Sequence, residues 1–200
     1  GTIDSYVIAR ATNGTHITDA SNASRTQLYD IHTGTWSGEL AELFEIPLEA
    51  LPTIVDSSGE LATTDPESFF GLAIPISGIA GDQQAALFGQ TQFQVGGAKC
   101  TYGTGAFLLK NTGKKAQHPE SGLLATIAWQ KPNGERTYAL EGSTFVAGAA
   151  VQWLRDGLQL IETAADIEPL AKRVESAEGV LFIPALTGLG APFWKPEARG

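Results

Sequence analysis

Methionine is absent from the 200 residues, and cysteine occurs once, at Cys100. A lone thiol excludes an internal disulfide. The histidines His16, His32 and His118 lie far apart, with no cysteine or second histidine at ligand spacing, so no metal motif is present. Each histidine is expected at the surface or in an ordinary hydrogen bond. Such sparing use of cysteine suits a reducing cytoplasm. Positive charge is also scarce: 13 Lys and Arg stand against 22 Asp and Glu, a net charge of -9 with a sequence pI near 4.7. That balance argues against nucleic acid or an anionic membrane surface as a partner, since both favour basic protein surfaces. No apolar run reaches transmembrane length, and no leader pattern opens the sequence. Without an initiating methionine, and with segments that look interrupted at both ends, the sequence reads as an internal part of a longer protein. Charged residues make up only 18% and hydrophobic ones 42%, which supplies a packed core and argues against disorder.

What is present is organised around Ile74 to Gln90, IPISGIAGDQQAALFGQ. Ile74 to Ala80 is short, apolar and β-branched, and predicts a buried strand bounded by Pro75 and Gly81. Asp82-Gln83-Gln84-Ala85-Ala86-Leu87 places good helix formers behind an Asp, a favoured N-cap residue. A strand leading through glycine into that Asp sets the carboxylate at the C-terminal edge of a sheet, where open α/β folds bind ligands. Asp82 then has two readings, a helix cap or a general base that takes a proton from a substrate hydroxyl. Periodicity alone leaves both open.

Before this stretch, residues 1–12 form a short amphipathic piece and Thr12-Asn13-Gly14-Thr15 signals a turn. Residues 18–26 (TDASNASRT) are too small and polar for a regular element, and Arg25 there can pair with a carboxylate or a phosphate, a structural salt bridge or loop clamp being the expected role. Trp36, Leu40, Leu43 and Phe44 recur at helical spacing and predict a core-facing helix closed by Pro47. Residues 51–70 are expected to form a surface connection. Gln92 to Gly97 (QFQVGG) ends in glycines and the pattern changes after it. The domain boundary is therefore placed between residues 1–92 and 93–200.

In the second half, residues 99–113 read as a β-hairpin with the turn Gly103-Thr104-Gly105. Glycines on either side of a Thr let backbone amides and one hydroxyl approach a phosphate, although most such turns are only turns. Residues 123–130 and 137–140 predict strands joined at Pro132-Asn133-Gly134, as a meander. Ser143 is the expected cap of a helix over 144–156, which sets Gly148 and Gln152 four apart on one face. An interior helix glycine costs about 1 kcal/mol against alanine, so close packing or a ligand should accompany Gly148. Ile167, Leu170, Ala171 and Val174 predict a helix with Pro169 in its first turn and Lys172-Arg173 solvated. Residues 179–184 predict a strand, and residues 188–194 a loop.

Several of these runs together resemble the glycerol-phosphorylating branch of the FGGY family of carbohydrate kinases: SGIAGDQQAALFGQ at 77–90, TYGTGAF at 101–107, SNASRT at 21–26 and TGLGAPFW at 187–194. Ser21 stands where the family has Thr. The resemblance implies an α/β fold of the actin-like, ribonuclease H-like ATPase type, a two-domain kinase with a nucleotide cleft, present here in part. It implies Asp82 as catalytic base, with Asp82, Gln83 and Phe107 contacting a small polyol. Phe107 is equally readable as core. It further implies Gly103, Thr104 and Gly105 at the γ-phosphate of ATP, and Gly148 and Gln152 bordering the nucleotide, against helix packing as the plainer role of Gly148. ATP and Mg²⁺ are the implied cofactors, with Mg²⁺ bridging phosphates and no protein metal ligand assigned. Glycerol and ATP/ADP are the implied partners of a cytoplasmic enzyme that is a homo-oligomer, dimer or tetramer, at full length. A sibling sugar kinase acting on a pentulose, or a non-catalytic homologue, are the alternatives. The family's N-terminal phosphate loop, its other glycerol ligands and its adenine-binding segment have no counterpart here, so this piece alone is expected to be inactive. Gly71-Leu72-Ala73 lacks the Arg with which enterobacterial members bind fructose 1,6-bisphosphate, so that inhibition is not expected.

Overall fold

The computed structural model describes residues 1–118 and 120–199. Two compact units divide the chain: Gly1–Lys99 with Leu109–His118 and Leu124–Leu140, and Cys100–Leu108 with Pro119–Leu123 and Glu141–Gly200.

In the first unit, α1 (Ile3–Ala11) turns Ser5, Ile8 and Ala11 inward at three-residue spacing, the stripe that an amphipathic helix buries. The expected turn follows, with Asn13 and Gly14 both at positive φ. β1 (Ile17–Asp19) lies parallel to β4 (Thr53–Val55), pairing Ile17 with Thr53 and Asp19 with Val55. Residues 18–26, expected to be irregular, instead complete β1 and form one helical turn, α2 (Ala20–Ala23). The reason is Asp19, fully buried, which caps α2. Its carboxylate accepts from the Ser21 and Asn22 amides at 3.0 Å each, from the Ser21 hydroxyl and Asn22 side chain at 2.9 Å, and from the Ser57 hydroxyl at 2.6 Å. The small residues then serve packing: Ala20 and Ala23 meet Tyr29, Ile127 and Tyr138 in one core cluster.

β2 (Tyr29–Asp30) and β3 (Thr35–Trp36) make a tight antiparallel ribbon. α3 (Gly38–Leu43) starts only after it, because the Ser37 hydroxyl accepts the Leu40 amide at 3.2 Å. Trp36 therefore belongs to a strand, Ala41 is the buried residue of α3, and Leu43 and Phe44 are exposed, contrary to the expected core-facing helix. Residues 51–70 are not merely a connection either, since they hold β4 and β5 (Ser58–Thr63). β5 pairs antiparallel with β6 (Pro75–Gly78) through a bulge. β6 is shorter and more exposed than the buried strand expected over 74–80, because a two-stranded ribbon leaves most of its surface uncovered. Ile79, just beyond it, is buried against Ile8 and Ile17.

α4 (Asp82–Gly89) follows, with Gln84 and Leu87 turned inward. β7 (Ala98–Tyr102), β8 (Ala106–Gly113), β9 (Leu124–Gln130) and β10 (Arg136–Thr144) form a sheet in the order β7-β8-β10-β9. Both expected hairpin turns are present, at 103–105 and at 132–134, where the Gly134 amide donates to the Lys131 carbonyl at 2.8 Å. The order is not a simple meander, since β10 lies between β8 and β9. Leu87, Leu109, Ala128, Trp129 and Ala139 make a second core cluster. His32 and His118, distant in sequence, meet with their Nε2 atoms 3.1 Å apart.

In the second unit, β10 continues to Thr144, so Ser143 is a buried strand residue and not a cap. The helix begins only at Gly148, as α5 (Gly148–Gln152), and runs into a wider π-type turn over Trp153–Gly157. Thr144 and Val146 are β-branched and favour extended backbone over the start of the expected helix. α6 (Ile167–Ala171) keeps Pro169 in its first turn as expected. Residues 179–184 form no strand: Leu181 is 90% exposed, and no strand among the described residues pairs with it. The loop at 188–194 is present, with the Ala191 amide donating to the Ser143 carbonyl at 2.8 Å.

Candidate active site

The candidate residues fall into two groups, each built within one unit. The first is centred on Asp82. Gly81 occupies the cap position, and Asp82 is the first residue of α4. The capping reading of Asp82 is thereby overturned: its exposed carboxylate accepts Gln83 Nε2–H at 3.1 Å and not a helix amide. A carboxylate at the positive end of a helix axis is favourably placed even without a capping bond. Its main chain is held from behind. The Gly81 amide donates at 2.9 Å to the Ser21 hydroxyl, which donates in turn to buried Asp19. Serine in place of the family's threonine therefore retains the hydroxyl that the contact needs.

Gln83 has a second neighbour that the sequence reading passed over. Lys99, read only as the first residue of a hairpin strand, is 3% exposed, and its ammonium donates to Gln83 Oε1. Its residues carried the opposite signal: in Ala98-Lys99-Cys100-Thr101-Tyr102 polar side chains alternate with apolar ones, yet Lys99 and Thr101 are the ones turned inward. A lysine there needs an acceptor.

The second group is the Gly103-Thr104-Gly105 turn, and the structure brings Gly148 against it. The Gly103 amide donates to the Gly105 carbonyl at 2.8 Å, closing the turn. Ala147 and Ala149 amides donate to the Thr104 carbonyl at 2.7 and 3.1 Å, and the Gly148 amide donates to the Gly103 carbonyl at 2.9 Å. The start of α5 thus spends its amides on the turn. Both glycines are required by close approach: a Cβ on Gly148 would sit 2.5 Å from the Gly103 carbonyl oxygen, and one on Gly105 would sit 2.4 Å from that of Thr144. Gly148 accordingly packs on turn backbone and not on another helix. The Thr104 side chain is exposed, Gln152 is exposed at the end of α5, and Phe107 is half-buried on β8.

Neither group is enclosed. A cleft of about 790 Å³ lined by α1 and residues 67–69 includes none of these side chains. Among the described residues no cluster of three or more His, Cys, Asp or Glu could cage a metal ion. No helix among them is long and apolar enough to cross a membrane.

This architecture is part of the actin-like, ribonuclease H-like ATPase fold of sugar kinases. It matches the xylulose kinase from Lactobacillus acidophilus with a TM-score of 0.78 at 22% identity, over 98% of this chain and 40% of that one, a likeness of fold alone. The chain belongs to the FGGY family of carbohydrate kinases, matching its N-terminal domain over residues 1–89 and its C-terminal domain over residues 98–200. It is 58% identical to the glycerol kinase of Bdellovibrio bacteriovorus and 57% identical to that of Methylobacterium nodulans, in each case over 100% of this chain. Those matches cover 41% and 40% of the relatives' own lengths. The crystal structure of Plasmodium falciparum glycerol kinase with ADP matches with a TM-score of 0.89 at 41% identity, over 100% of this chain and 40% of that one. The chain therefore spans about 40% of the length of the curated relatives it matches.

Proposed function

We propose that the protein carrying this chain transfers the γ-phosphoryl group of ATP to a terminal hydroxyl of glycerol, giving glycerol 3-phosphate and ADP. Residues 1–92 belong in this reading to the N-terminal domain and 93–200 to the C-terminal domain, a division supported by the glycine-ended connection at 92–97. The observation that carries the reading is an exposed Asp82 carboxylate at the head of α4, not engaged as a cap and fixed from behind through Gly81, Ser21 and Asp19. The high identity to glycerol kinases along the whole chain supports glycerol as the acceptor.

Asp82 Oδ accepts the hydroxyl proton as the glycerol oxygen attacks the γ-phosphorus. The bond to the β–γ bridging oxygen breaks, and ADP leaves. Gln83 and Phe107 contact the polyol, one through its amide and the other through its ring. The Thr104 hydroxyl and the backbone of the Gly103–Gly105 turn stabilise charge on the transferring oxygens, held in place by the α5 amides. Gly148 and Gln152 border the nucleotide. Mg²⁺ held on the phosphate oxygens would neutralise their charge; the candidate residues assign it no protein ligand, since the Asp82 carboxylate is given to the substrate hydroxyl.

The test is glycerol-dependent ADP release by the full-length protein and by Asp82→Asn. Turnover is expected to fall at least about 100-fold with ATP affinity retained, in line with loss of a general base. Equal rates for the two proteins would remove Asp82 from the chemistry. Activity on a pentulose with none on glycerol would keep the mechanism and change the substrate.

A further inference from the structure

We propose that Lys99 is a positioning residue for phosphoryl transfer, acting on Asp82 through Gln83. The inference rests on Asp82 being the base. Lys99 is almost wholly buried, and its ammonium donates to Gln83 Oε1, while Gln83 Nε2 donates to Asp82 Oδ2 at 3.1 Å. A side-chain amide has one accepting end and one donating end. An ammonium group has only donors, so it can face the oxygen end alone. Burying Lys99 beside Gln83 therefore settles which way the amide points, and its N–H₂ is directed at Asp82. One carboxylate oxygen is pinned by that bond, and the other is left to receive the substrate proton.

The intervening glutamine matters. A lysine in direct contact with Asp82 would compete with the substrate hydroxyl for the oxygen that must accept a proton. The neutral amide passes on orientation without an ion pair at the reacting group. Both residues sit on regular elements: Gln83 lies in the first turn of α4, and Lys99 on an inward position of β7.

Lys99→Met, Lys99→Arg, Gln83→Leu and the Lys99→Met/Gln83→Leu pair would be compared in the full-length protein. Lys99→Met is expected to lower kcat about tenfold or more, as misplacement of a reacting group does. The KM for ATP should stay within about twofold, and Lys99→Arg should restore most of kcat. In the Gln83→Leu background, Lys99→Met should cost less than about twofold, because the residue through which it acts is gone. Unchanged kcat in Lys99→Met, or losses that multiply in the pair, would overturn the inference while Asp82→Asn still tests the base independently. If Asp82→Asn is as active as the parent, both fall together. Should Lys99→Met fail to fold in a thermal melt, Lys99→Arg with and without Gln83→Leu decides instead. A change in kcat seen only when Gln83 is present supports the relay, and an equal change in both backgrounds, or none in either, excludes it.

Discussion

Tyr29 sits at 6% exposure beside Ala20, Ala23, Ile127 and Tyr138, and among the described residues its hydroxyl has no hydrogen-bond partner. Burial pushes its pKa up from 10.0 to about 12, against the opposing pull of the Arg136 guanidinium. Below the unfolded value both states keep the proton, and the group adds no pH dependence. Between 10.0 and about 12 the unfolded chain releases a proton that the folded one retains, so stability falls as pH rises through that window. Tyr29→Phe removes a buried, unbonded hydroxyl, and is expected to leave stability unchanged or raise it by about 1 kcal/mol at neutral pH. It should also flatten part of the alkaline loss. Urea unfolding at neutral and alkaline pH checks both, and a clear destabilisation with an unaltered alkaline slope would refute them. Lys99 teaches the complementary lesson about legibility. Sequence shows a lysine on a strand, but whether that position is buried depends on what packs over it, which residue spacing does not record.

Among the elements, the glycine turn and α5 depend on each other, because three amides from residues 147–149 end on two carbonyls of the turn. Gly148→Ala would force its Cβ to within 2.5 Å of a backbone oxygen that no side-chain rotation can relieve. The turn must shift, and KM for ATP is expected to rise about tenfold or more in the full-length protein, while Ala149→Gly, which keeps its amide, should cost only about 1 kcal/mol of stability. Isothermal titration with ATP separates the two, and normal ATP binding by Gly148→Ala would sink the assignment. The elements legible in the sequence were those specified locally: the hairpin turns at 103–105 and 132–134, and α4 behind its glycine. Those misread depended on distant partners. Trp36 is drawn into a ribbon with Tyr29 and α3 starts only after it, Thr144 ends a strand whose neighbours lie elsewhere in the chain, and residues 179–184 are apolar enough for a strand but have none beside them among the described residues. Asp82 and its helix were visible in the residues. The Asp19–Ser21–Gly81 support behind it, joining positions about 60 apart, was not.

On the scale of the whole molecule, several large apolar side chains are open to solvent, Phe70 at 89%, Leu181 at 90% and Ile3 at 79% among them. Soluble monomers rarely expose contiguous apolar patches beyond a few hundred square ångströms. The 200 residues expressed by themselves are therefore expected to bind an apolar fluorescent dye more strongly per mole than the full-length protein, and to give no glycerol-dependent ADP release. Turnover by the isolated piece would show that Asp82 and the glycine turn suffice without the rest of the relatives' length.

The clamp on the Thr104 turn is made of main-chain atoms, and this has a genetic consequence. Side chains at 147 and 149 can drift without touching it. At codons 105 and 148, by contrast, every missense change adds a Cβ where the backbone leaves no room. Inherited or laboratory-selected loss-of-function alleles in this region should therefore cluster at those two codons, and suppressors should be backbone-shifting changes nearby rather than substitutions of the alanines.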